Sequence, residues 1–167
     1  MSEAALQIHN IPPLYDERSQ VLILGSFPSV KSREAKFFYG HPQNRFWKVV
    51  AALTNEPVPQ TVPEKKALAL SHGIAMWDVI GQCVITGSSD TSIKDVVPND
   101  IRVILQAAPI RQIVCNGTKS FEMYQKYLLP LTGREAVRLP STSPANATCS
   151  LEKLKGKWAD TLSKYLL

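Results

Sequence analysis

Val21-Leu22-Ile23-Leu24-Gly25-Ser26-Phe27-Pro28-Ser29 is the stretch on which the fold turns. Four consecutive aliphatic residues without polar alternation describe a strand covered on both faces, and such strands belong to parallel sheets sandwiched between helices. Gly25 follows at once, where the missing Cβ lets the backbone turn sharply and approach a ligand. Three more β-rich runs lie downstream, Gly73-Ile74-Ala75-Met76-Trp77, Arg111-Gln112-Ile113-Val114-Cys115 and Ala136-Val137-Arg138-Leu139.

Segments of helical period separate these runs. Residues 44–53 place Trp47, Val50 and Ala51 on one face. A Pro-rich connection, 55–63, leads into a helix ended by Gly73, and further helices are expected at about 99–107 and at 118–129. Ser150 can cap a last helix whose stripe is Leu151, Leu154, Trp158, Leu162 and Tyr165. Strand and helix alternating four times predicts an α/β fold: a central four-stranded, mostly parallel sheet with helices on both faces. Ligands of such sheets bind beyond the carboxyl ends of the strands. Loops 25–43, 78–97, 116–118 and 140–149 should therefore meet at one rim.

Composition limits the alternatives. A chain of 167 residues, 44% hydrophobic and 20% charged, fits one globular domain over 1–167 and excludes disorder, coiled coil and collagen. Residues 1–10 hold no Lys or Arg, and no apolar run approaches the roughly 20 residues of a membrane span, so a cytoplasmic protein is expected. Cys83, Cys115 and Cys149 stand more than thirty residues apart, which suits buried apolar residues, with a reactive thiol as the alternative. His9, His41 and His72 are equally scattered, and neither a metal nor another cofactor is expected. The net charge of +5 is clustered: residues 31–48 carry five Lys and Arg against one Glu, and 102–138 six against two. Clustered base suits a polyanionic partner.

Three segments can carry chemistry. Gly25 to Ser29 lacks the Lys-Ser/Thr ending of a phosphate loop and the spacing of a serine-hydrolase elbow, so a plain strand-ending turn stays open. Phe37-Phe38-Tyr39-Gly40-His41-Pro42-Gln43-Asn44-Arg45-Phe46-Trp47 puts five aromatics in eleven residues, flanked by Lys31, Arg33, Lys36 and Lys48. Some, such as Phe46 or Trp47, belong to the core; the others can stack on a nucleobase beside phosphate-binding cations. Leu139-Pro140-Ser141-Thr142-Ser143-Pro144-Ala145-Asn146-Ala147 is either a turn before a capped helix or a stiff loop presenting hydroxyls and N–H groups to phosphate.

Taken together, Gly25 to Ser29, Tyr39 to Lys48, and Ser143-Pro144-Ala145-Asn146 ahead of Ser150-Leu151-Glu152-Lys153-Leu154 resemble the uracil-DNA glycosylase superfamily, in order from residue 21 to the C-terminus. The Asn44-Arg45-Phe46-Trp47-Lys48 run is similar to that of the mismatch-specific uracil/thymine branch. That branch carries Gly-Ile-Asn-Pro in its first motif, whose Asn positions the hydrolytic water; Phe27 stands at that place here. Gly-Ser-Phe-Pro-Ser combined with Gly-His-Pro-Gln-Asn and Ser-Thr-Ser-Pro-Ala-Asn instead resembles the hypoxanthine-DNA (deoxyinosine) glycosylase branch.

The resemblance implies a monofunctional glycosylase that flips a deaminated base, hypoxanthine first, out of DNA and hydrolyses its N-glycosidic bond. It implies that Asn44 serves catalysis, that Tyr39 stacks on the flipped base, and that Gly25, Ser26 and Phe27 read the base edge. Ser143, Pro144, Ala145 and Asn146 would grip the phosphate and fill the vacated stack, with Lys31 and Lys119 as further DNA contacts. Asn116 is a base reader or a turn residue, and His41 a proton donor to the leaving base or a structural histidine. With no Asp or Glu in the three motifs, a two-carboxylate mechanism is not expected, and Asp90 is the candidate carboxylate from another rim loop. The chain is expected to act on DNA as a monomer, without metal or membrane. Competing readings are a uracil or G:U/T mismatch glycosylase, a catalytically silent DNA-binding module on the same fold, and a small-molecule hydrolase using Ser29 or Ser143.

Overall fold

One strand buried along its whole length, β2 (Val21–Gly25), with side chains alternating between two cores, organises the protein. The computed structural model describes residues 4–86 and 89–167, with Asp90 as backbone only. β2 is paired in parallel with β3 (Ile74–Asp78) on one side and β6 (Gln112–Asn116) on the other, and β7 (Ala136–Leu139) extends the sheet to the order β3-β2-β6-β7. Val21 and Ile23 point into one core with Ile74, Met76 and Val114. Leu22 and Leu24 point into the other, with Ala75, Ile113 and Cys115.

Helices α2 (Phe46–Thr54), α3 (Val62–Ser71) and α7 (Leu151–Leu162) cover the first core through Phe46, Trp47, Leu68, Leu154, Trp158 and Leu162. The second is covered by Ile104 of α4 (Arg102–Ala107) and by Tyr124 and Leu128. These last two lie in a wide π turn, Tyr124–Leu128, between α5 (Thr118–Met123) and the short α6 (Leu129–Thr132). The four expected strands are thus present in a four-stranded parallel sheet with helices on both faces. Ser150 caps α7 by accepting from Lys153 N, as its place in the sequence predicts, although Tyr165 lies beyond the end of that helix. All three cysteines are buried, and burial pushes the Cys115 thiol up to about 12, which removes the reactive-thiol alternative at that position.

Two regions expected as rim loops are ordered differently. Within 78–97, β4 (Ile80–Thr86) and β5 (Lys94–Pro98) pair antiparallel with each other, and β4 pairs with β1 (Ala4–Ile8), giving a second sheet in the order β1-β4-β5. Register shifts around Gln82 put Ile80, Cys83 and Ile85 inward at uneven spacing, so β4 lacks the strict alternation that marks a strand. Within 25–43, α1 (Val30–Ala35) is capped by Ser29, whose Oγ accepts from Ser32 N, and ends at Lys36 in the left-handed conformation. No helix among the described residues is long and apolar enough to cross a membrane.

The carboxyl ends of the parallel strands fall on one rim, with Gly25 level with Asp78 and Asn116 level with Leu139. Trp158 supports that rim from below: it is fully buried, and its Nε1–H donates to Pro140 O at 3.0 Å. Trp158→Ala removes both the packing and this donor. Its expected cost is about 3–5 kcal/mol in chemical denaturation; a loss below about 1 kcal/mol would show that the rim does not rest on this side chain.

Candidate functional site

The loop of residues 140–149 carries no charge and only turns and bends, so its carbonyls need donors from elsewhere. Arg45 supplies them. Its Nη2 donates to Ser143 O at 2.9 Å and Asn146 O at 3.1 Å, Nε to Thr142 O at 3.4 Å, and Nη1 to Cys149 O. Arg45 N also donates to Thr142 O, at 3.1 Å. A planar guanidinium is suited to bracing several carbonyls at once, which a lysine ammonium cannot match. This use of Arg45 is why α2 begins only at Phe46, two residues later than its apolar period predicts.

Asn44 is held beside this clamp. Its Oδ1 accepts from Phe46 N, the first residue of α2, at 2.9 Å and from Thr142 Oγ1 at 2.8 Å. Thr142 is fully buried, and Asn116 engages it at both ends: Asn116 Nδ2 donates to Thr142 Oγ1, and Thr142 N donates to Asn116 Oδ1, each at 3.0 Å. The Asn44 amide orientation follows, because two donors converge on its oxygen and Nδ2 is left as the outward group.

A cavity of about 350 Å³ lies under this network. Gly25, Ser26, Phe27, Tyr39, His41, Asn44, Asn116, Ser143, Pro144 and Ala145 all line it, so most of the expected site residues are brought together. Tyr39 takes φ +55, a left-handed conformation rare outside glycine, which is strain of the kind found at binding sites. Its ring stacks on Phe46 at 4.1 Å, and Gly40 N donating to the buried Ser32 Oγ at 2.8 Å holds the turn. The Tyr39 hydroxyl is buried without a hydrogen-bond partner among the described residues. Burial, and secondarily the nearby Asp78 carboxylate, raise its pKa far above the ordinary range, so it remains a phenol and a donor. Phe27 is buried between the edge of His9 and the guanidinium of Arg33, with ring distances of 6.0 and 5.5 Å.

Other expected residues lie elsewhere. Asn146 and Lys119 line a neighbouring open groove with Arg138 and Lys157, and Asn146 Nδ2 also donates to Ser141 O. Lys31 is exposed on α1, 3.7 Å from Glu34. The side chain of Asp90 is outside the described residues; its backbone belongs to the 3-10 turn Asp90–Ser92. Sequence reasoning missed Asp78, the carboxylate that lines the cavity, and its partner His9. The available signal was an acid closing the second predicted strand at the sheet's carboxyl end. Among the described residues no group of three or more His, Cys, Asp or Glu is arranged to hold a metal ion.

If Arg45 holds the loop, Arg45→Lys should speed hydrogen exchange at the amides of Thr142 and Asn146 by between about tenfold and a hundredfold, because charged hydrogen bonds are lost. Unchanged exchange would mean that the backbone pairings alone suffice.

Comparison with known proteins agrees with this architecture. The family model described as "Uracil DNA glycosylase superfamily" matches residues 12–166. A hypoxanthine DNA glycosylase of Methanosarcina barkeri is 34% identical over 155 residues, 92% of this chain and 96% of the relative. One of Methanosarcina acetivorans is 36% identical over 149 residues, 88% of this chain and 92% of that one. The solution NMR structure of a Methanosarcina acetivorans protein proposed as a uracil DNA glycosylase superposes with a TM-score of 0.79 at 34% identity, covering 96% of this chain and 99% of the other. A parallel sheet whose rim gathers the three motifs, and a family match over nearly the whole chain, place this protein in the uracil DNA glycosylase superfamily.

Proposed function

We propose that the protein is a DNA glycosylase that removes a deaminated base, hypoxanthine foremost, by hydrolysing its N-glycosidic bond in base-excision repair. The observation that carries this reading is the fixed Asn44 amide at a cavity of base size, in a chain about 35% identical to hypoxanthine DNA glycosylases over most of its length. The base in a duplex is out of reach, so the nucleotide must be rotated out, at a cost of roughly a few kcal/mol that is smallest for an imperfect pair.

Bond breaking puts positive charge on the sugar and negative charge on the departing base. Both oxygen-directed bonds of Asn44 are already in use, so Nδ2–H faces the site as a donor. A donor stabilises the departing base anion, and that is the role the geometry favours over activation of the attacking water. Asn116 acts as the strut that keeps Thr142, and through it Asn44, in place. His41 Nδ1 accepts from Gln43 N at 3.1 Å, so its first task is to hold the turn before Asn44, with Nε2 as the atom that could meet the base. Phe27 has no amide with which to position water, which separates this site from the Asn-bearing mismatch-specific pattern.

DNA would lie across the exposed tip Pro144-Ala145 and along the adjoining groove, where Lys119, Arg138 and Lys157 outnumber Glu122 and Asp160. The tip is stiffened by proline and suited to filling the vacated stack. The protein would act on DNA as a monomer, in the cytoplasm at the nucleoid.

Duplexes containing hypoxanthine, xanthine, uracil or a G:T mismatch test the reading directly. Free hypoxanthine and alkali-labile abasic sites are expected; folded protein that binds DNA but releases no base would make it a silent binding module. Asn44→Ala should lower the single-turnover rate by about a hundredfold or more while DNA affinity is kept, and undiminished excision would remove Asn44 from the chemistry. Lys119→Ala should reduce the slope of log affinity against log salt by about one, the signature of one lost phosphate contact; an unchanged slope would move the DNA path off the groove.

A further inference from the structure

β1 is an edge strand: it pairs with β4 on one side only, in a register that sets Leu6 opposite Val84 and Ile8 opposite Gln82. The ladder continues to His9, whose N–H donates to Gly81 O at 2.7 Å. Hydrogen-bonded and non-hydrogen-bonded positions alternate along an antiparallel pair. His9, Gln7 and Ala5 therefore bond to β4, and the N–H and C=O groups of Ile8, Leu6 and Ala4 point to the open side. Among the described residues no backbone bond from another element closes that side. The same three residues carry their side chains on the outer face, because Gln7 lies opposite the buried Cys83 and its neighbours alternate away from it. Leu6 is 58% exposed and Ile8 66%; Val97 of β5, level with Ile8 through Gln82, is 51% exposed.

The two edges of this sheet are built differently. β5 carries Lys94, Asp95 with φ +54, and Pro98, and its pairing with β4 is interrupted by register shifts. Charge, proline and irregular backbone are the means by which a sheet keeps an edge from pairing. β1 reads Ala-Ala-Leu-Gln-Ile, with no charge, proline or glycine, and its register with β4 is unbroken. Its open side is also self-complementary. Turned about a twofold axis at Leu6, a second β1 runs antiparallel to the first and sets Leu6 against Leu6 and Ala4 against Ile8. Every outward N–H and C=O then meets its counterpart, in about six hydrogen bonds. On the outer face a row of Val84, Leu6, Leu6 and Val84 runs unbroken across the axis, and no like charges are brought together within the strand pair.

We infer that β1 is a self-association edge, through which two copies of this chain join their three-stranded sheets into one sheet of six. A second copy is the occupant because register, neutrality and the apolar row are each matched by the strand itself. The assembly closes as a dimer, since the guarded β5 edge offers no further pairing. A strand of five residues supplies about 17 Å of edge, and an interface of that length falls below the roughly 1,200 Å² of standard complexes, so the pairing is weak and reversible. No residue lining the base cavity or the adjoining groove belongs to β1, so each copy keeps a complete site of its own and the monomer remains the unit that meets DNA.

Sedimentation velocity on the protein from about 5 µM to about 1 mM, the range in which weak pairs form and part, tests the inference together with amide hydrogen exchange at both extremes. The mass should rise from one chain toward two. The Leu6 and Ile8 amides should gain about tenfold protection at the high concentration, while the Gln7 amide, bonded to β4, should not change. Leu6→Lys sets like charges opposite each other at the axis, and Leu6→Pro removes an outward N–H without touching the β4 ladder. Both should stay at the mass of one chain throughout, with the wild-type circular dichroism spectrum.

A wild type that remains a single chain up to about 1 mM overturns the inference and leaves the edge to an extended segment of another protein. Dimers that persist in both variants overturn it as well, as does protection that rises equally at Leu6 and Gln7, because the contact then lies elsewhere. Growth beyond two copies would show that β5 also pairs and would overturn the closed dimer. If either variant fails to fold, the other variant and the wild-type exchange pattern decide. None of these readouts depends on base release, so the edge and the glycosylase reading stand or fall separately.

Discussion

The Arg45 guanidinium, spread over the carbonyls of Thr142, Ser143, Asn146 and Cys149, is the contact on which the site depends. A loop without charges or regular structure has no means of its own to satisfy these oxygens, and one planar cation does it from the adjoining element. Because the same residue precedes α2, the clamp ties the start of that helix to the loop, and Asn44 lies at the junction. Asn116 completes the frame from β6 through Thr142, so a strand end, a loop and a helix start together position a single amide. No carboxylate lies among the clamp's hydrogen-bond acceptors. The positive charge of Arg45 thus lies beneath a loop proposed to face phosphate.

Opposite this neutral network the cavity has a second wall of different character. Asp78 and His9 are buried together, Gly25 gives the carboxylate its space, and the strained Tyr39 sets a phenol hydroxyl nearby. Tyr39 stays protonated because burial disfavours phenolate, and the Asp78 charge adds to the effect. The pocket is therefore lined by the Asn44 amide, and by the Tyr39 phenol and the Asp78 carboxylate, which both approach Gly25.

The central sheet was legible because burial on both faces writes continuous apolar runs, and Val21 to Leu24 is the clearest of them. The capped α7 was legible for a similar reason, its Leu154, Trp158 and Leu162 returning at helical spacing behind Ser150. The β1-β4-β5 sheet was not, because shifted register breaks the alternation of β4 and because β1 leaves Leu6 and Ile8 largely exposed. α1 was hidden by its brevity: six residues give less than two turns in which a period can be seen. Of the expected site residues, those in contiguous motifs, including Gly25, Tyr39 and Asn44, come together along one cavity. Arg45 was read as part of a basic, nucleic-acid-facing segment, whereas its donors are spent inside the protein.

What the sequence by itself determined is local and periodic: which runs become buried strands, where the chain must turn after them, and the motif order that marks the superfamily. What only the tertiary structure decided is pairing across distance. Asp78 and His9 are 69 residues apart, and Asn44 and Thr142 are 98 apart. A carboxylate in the sequence carries no sign of which imidazole will stand behind it or which of its oxygens will be left open. Those properties follow from strand register, which sets Asp78 beside Gly25, and from the path of the chain that brings His9 under it. Hydrogen bonds depend on geometry of a few tenths of an ångström, and that geometry exists only once the layers have packed.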